Sequence, residues 1–113
     1  IDDAHAPRFG GHTDMPAALR NRDPKLPVVL LAHQPRSVTE AAANGVALQI
    51  SGHTHGGQMQ PFGALVRIEQ PFLKGLHRVG NTAVYVSEGT GTWGPPLRVG
   101  TRSEISLITL RAA

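Results

Sequence analysis

Two short apolar runs flanking one helical segment limit the fold of this chain more than any other feature. VVLLAH at 28–33 follows a proline and is a continuous β-branched and aliphatic run, the pattern of a strand buried on both faces. SVTEAAANG at 37–45 reads as a short helix, with Ser37 as N-cap, Glu40 completing a capping box and Gly45 supplying a left-handed C-terminal cap. VALQIS at 46–51 is a second apolar strand. Strand, helix and strand joined by short loops imply two parallel strands side by side, with their C-terminal ends at one edge. Open α/β sheets place their ligand sites at that edge. His33 and the Gly52-His53-Thr54-His55 turn are therefore expected to meet there.

The flanking segments are more irregular. HAPRFGGHTDMP at 5–16 reads as an ordered loop, and Asp14 is placed to cap a short helix MPAALRN, with Pro16 tolerated in its first turn. DPKLP ends that helix. After Gly57 the texture turns to β: ALVRI (64–68), LHRV (76–79), AVYVS (83–87) and EISLITL (104–110) read as strands. The Gly80-Asn81 step suits a tight hairpin turn. The expected architecture is α/β, with parallel strands at the front and antiparallel strands at the back.

Composition narrows the function classes. A chain of 113 residues fits one domain, and 13 Gly with 9 Pro imply many turns and no long helices. The net charge of +3 comes from scattered Lys and Arg, and aromatic content is only 4%. Such a surface offers no base-stacking platform, so no nucleic acid is expected, while a mildly positive site for an anionic substrate is. There is no cysteine, so any metal must be held by His, Asp, Glu or Asn. No apolar run approaches the length of a membrane span. The opening IDDAHAP reads as the interior of a longer chain, and residues 1–113 are expected to be a single truncated domain.

The chemistry concentrates in LQISGHTHGGQMQPFG at 48–63. Neutral imidazole is the commonest protein ligand of transition metals, and two imidazoles one residue apart on a glycine-flanked turn can be aimed at one small volume. Gly52, Gly56 and Gly57 let the backbone turn sharply and leave room beside the rings. The plain structural alternative, histidines that only cap a loop, weakens when His33 is expected at the neighbouring strand end. Metal binding by His33, His53 and His55 is the expectation.

LAHQP at 31–35 followed by SGHTHGGQ at 51–58 resembles the last two motifs of the calcineurin-like metallophosphoesterases. IDD at 1–3 and GLHRVGNTAVYVSEGTGTWGPPLRVGTRSEISLITL at 75–110 look like the bacterial branch of membrane-associated phosphodiesterases that includes UDP-2,3-diacylglucosamine pyrophosphatases. The resemblance implies the C-terminal half of a four-layer α-β-β-α sandwich and a hydrolase of a phosphodiester or pyrophosphate bond. It also implies two divalent cations (Mn, Zn or Fe), with one or two per chain here, His33 and His53 on one and His55 on the other. Its substrate would be a phosphoester, small or lipid-linked, and its setting the bacterial cytoplasm or membrane periphery. The family's earlier motifs, which carry a bridging Asp and a catalytic His, do not occur here, so the catalytic residue stays unassigned.

Two other readings stand beside this one. His33, His53 and His55 could share a single zinc with an open position, or the chain could be a metal-binding or partner-binding module without catalysis. Arg98, in PPLRVG, and Thr54 are the expected substrate contacts, with a surface arginine as the plain alternative for Arg98. Asp2 and Asp3 read as turn caps, and His5 and His12 as solvated loop histidines. Trp93 reads as a packing anchor for its Gly-Pro loop, and Glu88 as a turn partner. A half-sandwich would leave the strand faces of VVLLA and ALQI uncovered, so the expected partner is a second copy of the chain or an N-terminal half.

Overall fold

The computed structural model describes residues 14–111. Asp2, Asp3, His5 and His12 lie outside these residues. The helix after Asp14 forms as expected: α1 spans Met15–Leu19, and the Asp14 carboxylate accepts the Ala17 amide at 2.8 Å.

The next unit is the expected strand, helix and strand. β1 spans Val29–Leu31, α2 Val38–Ala43 and β2 Leu48–Ser51, and β1 pairs parallel with β2, Leu30 opposite Gln49. The capping box at Ser37 does not form. A 3-10 turn over Pro35–Ser37 runs straight into α2, so Ser37 is already helical and the Val38 amide is satisfied by the Pro35 carbonyl. Backbone has taken the place of the side-chain cap. At the other end, Gly45 adopts φ 71°, the Val46 amide donates to Ala41 and the Gly45 amide to Ala42, a Schellman closure as the glycine predicts.

A hairpin completes the sheet. β3 (Gly75–Val79) and β4 (Thr82–Val86) are antiparallel about Gly80, and β4 lies parallel to β2, giving the order β1-β2-β4-β3. Two small clusters lie on the α2 side of this sheet. Met15, Ala41 and Val46 pack with Leu19, Val28 and Leu30, and Val38, Val84 and Val86 pack with Phe72 and Val79.

The opposite face departs from expectation. Val29 and Leu31 are exposed and only Leu30 turns into the core, so β1 is covered on one face rather than two. The register aligns Leu31, Ile50, Tyr85 and Leu76 across that open face, and Leu31 and Leu76 are each 69% exposed. The described residues form one mixed α/β sheet with α1 and α2 packed on one side.

Two expected strands are absent among the described residues. ALVRI lies within a helix, α3, spanning Gly63–Glu69. A short apolar run does not distinguish helix from strand by periodicity, and here Pro61 and Phe62 carbonyls accept the Ala64 and Leu65 amides, starting a turn that needs no neighbouring ladder. Residues 104–110 run without strand pairing. Their alternation survives as Glu104 and Ser106 facing inward and Ile105 and Leu107 outward, but the tethers are side chains: Tyr85 Oη reaches both Glu104 and Ser106. Among the described residues the antiparallel back is thus confined to the β3–β4 hairpin.

Candidate functional site

The β1–β2 pairing continues past the strands: the Ala32 amide donates to Ile50 and the Gly52 amide to His33. This brings His33 beside the turn that follows β2. The turn is unusual in its backbone. His53, His55 and Gln58 have φ of 68°, 49° and 48°, a left-handed region that costs a non-glycine residue about 1–3 kcal/mol. Such conformations persist only where surroundings impose them. Here the Thr54 hydroxyl donates to Leu73 O at 2.5 Å, and the Gly57 and Gln58 amides close onto Thr54 and His55 carbonyls. Gly57 is required by space as well as by φ, and Gly56 is crowded by a side chain. A Cβ on Gly56 would collide with the Glu88 carboxylate, and one on Gly57 would lie 2.6 Å from the Gly63 Cα.

His33 Nε2 lies 3.1 Å from His53 Nδ1, with the rings nearly edge to face at 4.9 Å between centroids. Two nitrogens bound to one tetrahedral metal at about 2.0–2.1 Å stand about 3.3 Å apart. The two nitrogens hydrogen-bond to each other at that separation, so a shared cation would displace this bond and turn both lone pairs toward one point. His55 faces a different environment. Burial and the Arg98 guanidinium, 3.4 Å from its Nδ1, hold its pKa below the ordinary value, against an opposing hydrogen bond to the Gly91 backbone. In the neutral ring the single lone pair, at Nδ1, accepts from Arg98, while the ring N–H donates to the Gly91 backbone.

Among the described residues, no three His, Asp or Glu side chains converge on one point. The three histidines are thus a close pair and a separate third, and the single three-histidine zinc reading is not assembled here.

The structure places Arg98 and Thr54 as organisers of the loops. Arg98 donates to five backbone carbonyls, those of His55, Glu88, Gly89, Gly91 and Arg102, while its Nε is buried without a hydrogen-bond partner in the described residues. Glu88 lies over Gly56 with one oxygen 3.1 Å from Lys74 Nζ and the other buried without a partner among the described residues. Glu88 is thus paired with Lys74 and largely covered, not solvated. Trp93 is 61% exposed, so it is not buried as a packing anchor.

Sequence reasoning missed the glutamines. Gln58 grips the Trp93 loop: its Nε2 donates to Trp93 O at 2.6 Å and Pro95 O at 3.2 Å, and its Oε1 accepts the Trp93 amide. Behind His33, the buried Gln49 donates to Gln34 O and Ser51 Oγ, and Gln70 links Gln34 Oε1 to the Arg36 amide. Amides inside apolar strands, and directly after His33, were the available signal.

Comparison with known proteins agrees with the motif. The chain is 44% identical, over 86% of its length, to an uncharacterized metallophosphoesterase of Helicobacter pylori, of which it covers 27%. It is 43% identical over its whole length to a transmembrane protein with metallophosphoesterase domain of Danio rerio, again covering 27% of that protein. The uncharacterized metallophosphoesterase YkuE of Bacillus subtilis is 36% identical over 90% of the chain and is covered over 37% of its own length. The chain thus spans about a quarter of the first two relatives. No family model and no solved structure matches it. Nearly all of this chain is homologous to a segment of proteins named metallophosphoesterases, and that kinship supports the metallophosphoesterase family for it.

Proposed function

We propose that the chain contributes to a metal-dependent phosphoesterase site that cleaves a phosphodiester or pyrophosphate bond, with His33 and His53 as ligands of one cation and His55 as ligand of a second. The observation that carries this reading is the 3.1 Å approach of His33 Nε2 to His53 Nδ1 on a strained, glycine-flanked turn. Mn, Zn or Fe would supply Lewis acidity toward the phosphoryl oxygens and lower the pKa of a bound water. The protein's own part is positioning. The β1–β2 ladder sets His33 against His53, the Thr54 tether holds the turn, and Arg98 fixes His55 against the loop after β4 while adding positive charge beside it. Arg98 and Thr54 then serve the substrate mainly through charge and shape, since their hydrogen bonds are committed within the protein.

The open sheet face supports a second proposal, on assembly: a second copy of the chain, or the remainder of a longer protein, covers Leu31 and Leu76. Among the described residues no helix is long and apolar enough to cross a membrane.

The test is metal titration of the whole chain by calorimetry, alongside turnover of bis-p-nitrophenyl phosphate with Mn or Zn. Saturable binding that His33→Ala and His53→Ala weaken, with chelator-sensitive turnover, is the expected result. Binding unaffected by either substitution overturns the ligand assignment. Binding without turnover favours a metal-binding module.

A further inference from the structure

Beside the histidine turn lies a cavity of about 360 Å³, with His53 and His55 at one side and Met59, Phe62, Leu65 and Trp93 forming much of the rest. This volume falls within the range of small-molecule sites. Its polar lining residues are less polar than their names imply. The Thr54 hydroxyl is spent on Leu73 O, both ends of the Gln58 amide on the Trp93 loop, and both ends of the Gln70 amide on Arg36 and Gln34. What remains toward an occupant is imidazole at one side, the exposed Glu69 carboxylate, and hydrocarbon or aromatic surface elsewhere.

The walls are built by the same turn that carries the histidines. Gly57 packs so closely on Gly63 that α3 starts against the turn, and Gln58 fixes Trp93 over it. Phe62 and Trp93 stand nearly parallel, 15° apart in plane with centroids 6.0 Å apart. Both remain partly exposed, as does Leu65. Aromatic and aliphatic surface held open to water beside imidazoles suits a ligand with one apolar end and one anionic end, the latter facing the positive charge of Arg98 near His55.

We infer that this cavity seats the apolar part, an aryl ring or an alkyl chain, of an amphipathic phosphoester whose phosphoryl group lies at the histidines. The inference rests on the phosphoesterase reading and narrows its substrate class. A nucleobase finds the amides of Gln58 and Gln70 already committed, which leaves the Glu69 carboxylate as the polar side chain beyond the histidines able to meet a base edge.

Trp93 is the only tryptophan of the chain and lines the cavity, so its emission reports occupancy. The whole chain is titrated with octyl phosphate, 1-naphthyl phosphate, methyl phosphate and octyl glucoside. The expected result is a saturable change in emission with octyl and naphthyl phosphate, at least about tenfold tighter than methyl phosphate because several methylenes leave water. Leu65→Asp and Phe62→Ser, both at exposed positions, should each remove most of that preference with circular dichroism unchanged. Equal affinity for methyl and octyl phosphate, or octyl glucoside binding as well as octyl phosphate, overturns the inference. Calorimetric metal titration of the same protein reads the phosphoesterase reading separately: loss of metal binding with retained octyl phosphate preference would sink that reading and leave the cavity assignment standing.

Discussion

Gln58 holds Trp93 by its backbone on both sides, donating to its carbonyl and accepting from its amide, so the last residue of the GHTHGGQ motif fixes a loop 35 positions away. Such a two-sided amide clasp substitutes for a strand pairing. It makes the wall of the cavity a consequence of the same turn that presents His53 and His55.

Gln58→Ala should therefore act on the loop first. Three hydrogen bonds are lost, each worth about 1 kcal/mol net, so a destabilisation of about 1–3 kcal/mol is expected, with relief of the positive φ at residue 58 absent because alanine is no better there than glutamine. Urea unfolding measures the first part, and a red shift of Trp93 emission in the folded state measures the freed loop. Unchanged emission would show that the clasp does not set the loop.

The close pair predicts non-additive metal loss. If His33 and His53 bind one cation, His33→Ala and His53→Ala should each weaken one metal-binding event by tenfold or more, and the double variant should lose little beyond either single one. His55→Ala should affect a different event. Calorimetry with Zn or Mn distinguishes these outcomes, and three additive losses in one binding event would point back to a shared three-histidine site.

The sequence made much of the site legible and less of its support. The VVLLAH and VALQIS runs with an intervening helix were enough to place His33 beside His53, because parallel pairing of strands fixes where their C-terminal ends lie. The histidine turn was legible through its glycines, one of which, Gly57, is required by neighbouring backbone. ALVRI was misread because five apolar-rich residues carry no decisive period, and local carbonyls settled the matter. EISLITL keeps an alternation of burial only over 104–107 and finds no ladder among the described residues. Gln49 and Gln70 escaped notice because a buried amide is valuable only for the partner it meets, and partners are a property of the fold.

Glu104 gives a pH prediction with a definite sign. Hydrogen bonds from Ser106 and Tyr85, then the Glu88 amide, hold its carboxyl below the ordinary carboxylate range, with Lys74 adding a smaller favourable charge. A depressed folded pKa means that the stabilisation is present above the unfolded value and is lost as pH falls through the folded one. Tyr85 is raised chiefly by its bond to Glu104, so its contribution is present below its unfolded value of about 10 and fades as pH rises through the folded one. Both groups are only partly buried, so the effect on global stability is small. Hydrogen exchange of the Glu88 amide, which donates to Glu104, should quicken relative to intrinsic rates below about pH 4. Glu104→Gln should remove that acid-side transition.

The open face supplies an assembly prediction. Leu31 and Leu76 are exposed in one cross-sheet row with Ile50 and Tyr85 between them, and a twofold contact would need only this surface. A second copy seated there should give a dimer by light scattering, and Leu31→Glu with Leu76→Glu should convert it to monomer without loss of helical signal. A monomer in the unsubstituted chain at micromolar concentration excludes this partner. A dimer that survives chelator shows that the apolar face, rather than metal, holds it.

Gly56 tests whether the turn is as constrained as its geometry says. Its φ of 66° alone should cost an alanine about 1–2 kcal/mol. The new methyl group would also meet the Glu88 carboxylate, whose Oε1 is held by Lys74 and which lies in a largely covered position. Gly56→Ala should then lose more than the φ term alone. Adding Glu88→Ala removes the collision but leaves the backbone cost, so the double variant should recover part of the loss and no more. Urea midpoints of the two single variants and the double variant read these terms apart. Full recovery in the double variant would mean that φ imposes no cost at this position, whereas no recovery would mean that the Glu88 carboxylate does not occupy the space above Gly56.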